Sequence, residues 1–242
     1  MKVSILQWNV YFKESADNVI QEIARFNTDI VCVQELTKDS FINPQRDLEA
    51  EIAALGYESA YALTVDRPHH QMGNAIFSKF PILSEQRVYV QHEDLQSPGR
   101  SKENRIYLET TLDTPQHNLT IGTVHLSYTN LFEETHEKND EFSKFIYAIK
   151  NHKENFLVTG DFNALPTSRY IQEISKHLHS TGPDYSEATW TTKPDEEYSF
   201  PIDGLTTRLD YAFATPDVKV IKSEVLQTEF SDHLPLLITV EL

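Results

Sequence analysis

The 242-residue chain holds one cysteine, two methionines and seven glycines, and its 21 Lys and Arg are outnumbered by 37 Asp and Glu. The single Cys32, inside the apolar run Asp29-Ile30-Val31-Cys32-Val33, excludes an intrachain disulfide, so burial has to hold the core. A reducing, cytoplasmic setting fits this. No apolar stretch approaches the roughly 20 residues of a membrane span, and Met1 to Leu6 shows no apolar h-region with a cleavage site, so no membrane association is expected. The net charge of −16 argues against strong, sequence-independent binding to long DNA, which rests on Lys and Arg. A polyanion groove would have to be a local basic strip on an acidic body. No internal repeat and no low-complexity tract stand out.

What is present suffices for a sizeable core: 39% hydrophobic residues, 11% of the chain aromatic, in a length that buries much of its surface. One domain over 1–242 is expected, and a monomer. Lys2 to Trp8 alternates as a strand does. Ser15 to Phe26 then carries Val19, Ile23 and Phe26 at helical spacing, with Ser15 as N-cap. A buried strand follows at Asp29 to Val33, and Pro44 to Leu55 reads as a helix between a starting Pro and Gly56. Strands are expected at Tyr57 to Leu63, Asn74 to Ser78, Ile82 to Val90, Arg105 to Leu112 and Leu119 to Leu126. Helices are expected at Leu131 to Ile149 and Thr167 to Lys176, with strands at Asn155 to Thr159, Asp210 to Ala214, Val218 to Gln227 and Leu236 to Glu241. Hairpin-linked strands mixed with helices point to an α+β arrangement, two packed, mostly antiparallel sheets flanked by helices.

Two polar stretches interrupt this pattern, His92 to Asn104 and Thr181 to Thr207. Loops of that length in a folded domain are usually functional. The second is acidic at Asp195-Glu196-Glu197 yet carries Trp190, Tyr198 and Phe200, which suggests a substrate-facing flap.

Chargeable residues collect at the ends of apolar runs: Trp8-Asn9-Val10, Gln34-Glu35, Thr123-Val124-His125-Leu126, Gly160-Asp161-Phe162-Asn163, Arg208-Leu209-Asp210-Tyr211 and Ser231-Asp232-His233. Buried Asp and His are costly unless paired or metal-bound, and strand ends are where loops present side chains around a rigid scaffold. The pattern points to one convergent site suited to a divalent metal and a phosphate.

In this order, with Gly73-Asn74-Ala75-Ile76-Phe77-Ser78 between them, the motifs resemble the endonuclease/exonuclease/phosphatase superfamily over nearly the whole chain. The resemblance implies a four-layer α/β/β/α sandwich, phosphoester hydrolysis, and a divalent cation, usually Mg²⁺, with Mn²⁺ as substitute. It implies Glu35 as metal ligand, since Mg²⁺ prefers one or two carboxylates with water and phosphate oxygens completing its shell. Asn9 stands beside it, as a direct amide ligand or one step behind, and Asp232 at a second or alternative metal position. Asp161 would orient and deprotonate the attacking water, with Asn163 donating to a non-bridging phosphate oxygen. Asp210 would hold one nitrogen of His233 and leave the other facing phosphate.

His125 would bind the phosphate or protonate the leaving oxygen. A His here is similar to the branch of deoxyribonuclease I, neutral sphingomyelinase and tyrosyl-DNA phosphodiesterases, and unlike the abasic-site endonucleases. Three further residues are substrate-binding candidates. Arg105 could brace the phosphate or form a surface salt bridge, Trp190 could stack a ring or anchor the flap, and Arg208 could join a basic rim. The expected activity is a Mg²⁺-assisted nuclease or nucleic-acid-end-processing phosphodiesterase. A phosphatase or phospholipase C-type hydrolase of a small or lipid phosphoester is the alternative, and a non-catalytic binding module the remote one.

Overall fold

Period-two alternation along the strands decides the architecture. The computed structural model describes residues 1–96, 101–190 and 205–242. The first sheet contains β1 (Lys2–Asn9), β2 (Ile30–Ser40), β3 (Glu58–Arg67), β4 (His70–Ser78), β11 (Lys219–Val225) and β12 (Leu236–Glu241) in the order β11-β12-β1-β2-β4-β3. The second contains β5 (Ile82–Gln91), β6 (Arg105–Asp113), β7 (Asn118–His125), β8 (Phe156–Asp161), β9 (His179–Ser180) and β10 (Asp210–Ala214) in the order β5-β6-β7-β8-β10-β9. Helices α1 (Ala16–Phe26) and α2 (Leu48–Ala53) lie in the first half, α3 (His136–Ile149) and α4 (Arg169–Ile174) in the second.

One face of each strand meets the other sheet. Val3, Ile5, Ile30 and Cys32 pack there against Ile106, Leu108, Ile121, Leu157 and Ala212. The opposite faces take the helices. Leu6, Trp8, Val31 and Val33 cluster with Val19, Ile23, Leu48 and Ile52 of α1 and α2, and Val124, Val158 and Phe213 with Phe142, Phe145 and Tyr170 of α3 and α4. The layers therefore run α/β/β/α. Each sheet is mixed, with a parallel pair at its centre (β1 with β2, β7 with β8) and antiparallel neighbours. The two sheets follow the same scheme, permuted: β11, β12, β1, β2, β3 and β4 take the places of β5 to β10. This repeat lies in pairing, and residue identities do not reveal it.

Several boundaries differ from the sequence reading for local reasons. Ser15 caps α1 as expected, accepting from the Asn18 amide. The second helix is short, however, starting at Leu48 with Asp47 as N-cap. Pro44 lies in a turn where the Ser40 and Arg46 amides both donate to the Asn43 carbonyl, and β2 continues to Ser40. The third helix begins at His136, capped by Thr135, because Leu131 and Phe132 take left-handed φ of 52° and 59° that no α-helix accommodates. The 181–207 stretch is pinned at both ends: the Thr181 amide donates to Ala212, and Trp190 bridges to Thr207 and His233. Tyr198, Phe200 and the acidic 195–197 segment lie outside the described residues. Among the described residues no helix is long and apolar enough to cross a membrane.

Gly160 is required where β7 and β8 run side by side. A Cβ there would sit 2.1 Å from the Val124 carbonyl oxygen, which neither strand can relieve without breaking register. Gly160→Ala is expected to cost about 3 kcal/mol or more, read as a lowered urea midpoint. An unchanged midpoint would show that the strands separate freely.

Candidate active site

The inter-sheet face changes chemistry along its length. On β1 the inward series is Val3, Ile5, Gln7, Asn9; on β7 it is Ile121, Thr123, His125; on β8 it is Leu157, Thr159, Asp161. Apolar side chains give way to amides and hydroxyls, and these to ionisable groups at one edge of the sandwich. In the middle tier Gln7 and Gln34 exchange amide hydrogen bonds at 2.6 and 3.0 Å. Gln34 also donates to Thr123 Oγ1 at 2.7 Å and Gln7 to Asp210 Oδ1 at 3.3 Å, crossing from one sheet to the other. Buried amides are tolerated only when satisfied in this way.

Asp161, almost fully buried, is the hub. Its Oδ2 lies 3.2 Å from Asn9 Nδ2, 3.4 Å from Asn163 Nδ2, 3.5 Å from His125 Nε2 and 3.6 Å from His233 Nε2. Its Oδ1 accepts the Asn163 backbone amide at 2.9 Å. Burial raises the Asp161 pKa to about 6, with the His233 charge pulling down and Asp210 pushing up.

Glu35 reaches the site through a backbone irregularity. Strict alternation would send it to the helix-covered face with Val31 and Val33. A bulge between Val33 and Leu36 in the β2–β4 pairing, with Glu35 at φ 59°, turns it inward instead. Its Oε1 accepts from Asn9 Nδ2 at 3.0 Å and its Oε2 from the Phe12 amide at 3.0 Å. Burial, then repulsion from the Asp232 charge, raises its pKa to about 7. Two carboxylates facing one cavity and repelling each other form a donor set that suits a hard divalent cation. Glu35 and Asp232 fit that group, and Asn9 stands one step behind, its Nδ2 donating to Glu35 and Asp161 and its Oδ1 accepting the Tyr11 amide at 3.1 Å.

Asp161, Asp210 and His233 also offer ligand atoms within 4.8 Å of one another; the hydrogen bond among them is the Asp210–His233 relay, and His233 Nε2 stands 3.6 Å from Asp161 Oδ2 as an ion pair. His233 Nδ1 bonds Asp210 Oδ2 at 2.8 Å. Burial opposes its charge, yet Asp210, Asp161 and Asp232 outweigh burial and hold its pKa well above the imidazole range. His125 is set the other way: burial first, then the charges of Arg105, His233 and Lys138, hold its pKa well below the usual value, so it is neutral. The C-terminal segment is locked onto β1, since Trp8 Nε1 donates to the His233 carbonyl at 3.1 Å and Ser231 Oγ to the Asn9 carbonyl at 2.7 Å.

The structure thus brings together Asn9, Glu35, His125, Asp161, Asn163, Asp210, Asp232 and His233. The three substrate-binding candidates part ways. Arg105 lines the same cavity, of about 140 Å³. One of its nitrogens pairs with Glu103 at 3.2 Å, while Nε and Nη1 are buried with no hydrogen-bond partner. Trp190 also lines the cavity but is buried, its ring edge-on to Phe132 and near His233, so it forms wall and not an open stacking face. Arg208 points away. Its guanidinium donates to the backbone carbonyls of Asp210, Pro183, Asp184 and Glu187, which makes it a clamp on the segment before β10 and no part of a basic rim.

Sequence reasoning missed the supports. Gln7 was marked only by its inward place in the β1 alternation. Thr189 Oγ1 accepts the Leu209 and Asp210 amides. Lys138 of α3 is buried, donating to the carbonyls of Ser127, Phe162 and Asn163, and so ties the loops after β7 and β8 together. Burial lowers its pKa to about 8. A lysine on an amphipathic helix ordinarily reads as solvated, and nothing in the sequence marks this one.

The UPF0294 protein VV2535 of Vibrio vulnificus is 33% identical over 116 residues, which is 48% of this chain and 38% of that protein's length. An endonuclease/exonuclease/phosphatase structure from Beutenbergia cavernae superposes with a TM-score of 0.74 at 21% identity, over all of this chain and 72% of that one. The human nocturnin catalytic domain, with bound sulfate, gives a TM-score of 0.72 at 18% identity, over 99% of this chain and 94% of that one. At such identity these structures speak for the fold alone. The family model for the endonuclease/exonuclease/phosphatase family matches residues 6–233, from the middle of β1 to the imidazole of the Asp210 relay, and the chain belongs to that family.

Proposed function

We propose that the protein is a divalent-metal-dependent phosphoester hydrolase that attacks a terminal phosphoester, foremost at a nucleic-acid end, by in-line displacement with water. The observation that carries this reading is the convergence of four nitrogen groups on one buried carboxylate oxygen of Asp161, opposite an Arg105 guanidinium with unpaired donors. A carboxylate that titrates near 6 is ionised at neutral pH and basic enough to orient a water and accept its proton. The His233 imidazolium, steered by Asp210, presents a positive N–H where charge builds on phosphate. Neutral His125 offers an uncharged N–H, which suits binding a phosphate oxygen better than protonating a leaving group. Asn163 Nδ2 is held by the Leu126 carbonyl at 3.0 Å and would have to exchange that contact to reach substrate.

A divalent cation at Glu35 and Asp232, with Asn9 one step behind, would supply Lewis-acid stabilisation of the phosphate charge. The bound sulfate in the nocturnin domain is in keeping with a tetrahedral anion as ligand of this fold. Among the described residues, the carboxylates of Glu35, Glu103, Asp161 and Asp232 line the cavity with only Arg105 as a permanent cation. That lining favours one phosphate entering as a strand end or small phosphoester over a duplex laid across the site, and keeps the small-substrate reading alongside.

Asp161→Asn is expected to lower kcat about a thousandfold on end-labelled oligonucleotides and on an aryl phosphodiester assayed with Mg²⁺. Full activity in that variant, or no metal-dependent release by the wild type, would sink the proposal. Glu35 gives an independent thermodynamic reading. A carboxyl whose folded pKa is about 7 favours folding below its ordinary value near 4.5 and loses that contribution as pH rises through 7. At pH 8 in EDTA, Glu35→Gln should therefore unfold at a higher temperature than wild type, by on the order of 2 kcal/mol. The advantage should fade toward pH 5, and added Mg²⁺ should raise the wild-type midpoint only. Equal Mg²⁺ stabilisation of both proteins would remove Glu35 from the metal site.

A further inference from the structure

The cavity at Asp161, about 140 Å³, has room for little beyond a phosphate group and a few waters, each of about 30 Å³. Whatever is esterified to that phosphate must lie elsewhere. A second cavity of about 440 Å³ adjoins it, and Glu103, Arg105 and Tyr128 line both. Its size falls within the range of small-molecule sites. Its walls are hydroxyls and amides, from Ser101, Ser127, Thr129, Thr135 and Gln91. The cations beside them are already engaged: Lys138 serves three backbone carbonyls and Lys102 the Asp94 carbonyl. Glu137 and Glu103 add negative charge. Among the described residues a second phosphate would meet the carboxylates of Glu103 and Glu137 and cations already engaged, whereas a neutral group bearing hydroxyl donors would meet acceptors in those carboxylates and in the oxygens of Ser101, Ser127 and Thr129, whose own hydrogens go to Glu103, Gln91 and Glu133.

Arg105 stands at the junction with its side chain about nine-tenths buried (9% exposed) and two nitrogens unpartnered. Such a desolvated guanidinium is costly unless an anion completes it. We propose that the chamber seats the group esterified to the scissile phosphate, a neutral polyhydroxyl moiety of about nucleoside size, while Arg105 grips a phosphate oxygen at the boundary. This rests on the phosphoester-hydrolase reading. It makes selectivity a property of one bounded chamber filled by a single terminal residue of the substrate.

Two p-nitrophenyl phosphodiesters with the same leaving group separate chamber from chemistry, one carrying methyl and the other uridine through its 5′ oxygen. Wild type with Mg²⁺ should favour the uridine ester in kcat/KM by at least about tenfold. Thr129→Trp, which fills the chamber, should abolish that preference by bringing kcat/KM of the uridine ester down to that of the methyl ester, and Thr129→Ser should retain it. Asn130→Trp, at an exposed position of the same wall, should act as Thr129→Trp does if the latter misfolds. Absence of a preference in wild type, or its survival in both tryptophan variants, overturns the proposal. If neither ester is cleaved, the hydrolase reading falls separately, and titration with uridine 5′-monophosphate decides the chamber. Binding lost in the tryptophan variants supports it, and binding unchanged overturns it.

Discussion

A buried carboxylate that must remain charged is the constraint around which this protein is arranged. Asp161 sits at the end of β8 with almost no contact with water, where an isolated charge costs several kcal/mol. Each compensating group comes from a different segment: Asn9 from β1, His125 from β7, Asn163 from the turn after β8, and His233 from the C-terminal loop. Those segments must be held to within fractions of an ångström for the compensation to work. The Gln7–Gln34 amide pair, the Trp8 bond to the His233 carbonyl and the Lys138 tie between two loops do the holding. Stability and reactivity here share the same contacts.

The site also separates two like side chains into opposite states. For His233 three carboxylates outweigh burial and hold it charged, while His125, although beside Asp161, is held neutral by burial first and then by the charges of Arg105, His233 and Lys138. Neither state follows from histidine itself. It follows from which neighbours the fold supplies, and it gives one cavity a cationic donor and an uncharged donor near the same carboxylate oxygen.

Much of this was legible in the chain. Alternation located β1, β7, β8 and β10, and the polar residues closing those apolar runs marked the cavity, because strand ends are where a sandwich can present charge. The sequence reading failed where a side chain's direction depended on local geometry or distant partners. Glu35 was singled out from its place at the end of an apolar run, but only the bulge explains how a residue out of phase with Gln34 faces inward. Arg208 looked available for substrate because its partners are backbone carbonyls, which carry no sequence signature. For Trp190 the choice between stacking face and flap anchor depended on its bridges to Thr207 and His233, which the sequence does not show. Lys138 was invisible as a buried residue, since carbonyls of loops far along the chain are what pay for it.

The permuted repetition of the strand scheme has a consequence for how the site is owned. Asn9 and His125 close equivalent strands of the two sheets; paired with them on the parallel neighbours are Gln34 of β2, with Glu35 next to it at the bulge, and Asp161 at the end of β8. Equivalent positions carry unlike chemistry: amide and carboxylate on the side suited to a cation, imidazole and carboxylate on the side suited to water. The cleft therefore has approximate twofold form without twofold function, and the direction in which a substrate lies across it is written in the differences between two halves of one pattern. Neither sheet alone carries all of the converging side chains, so the cavity exists only while the apolar layer and the Gln34–Thr123, Gln7–Asp210 and Asn9–Asp161 contacts keep the two sheets together.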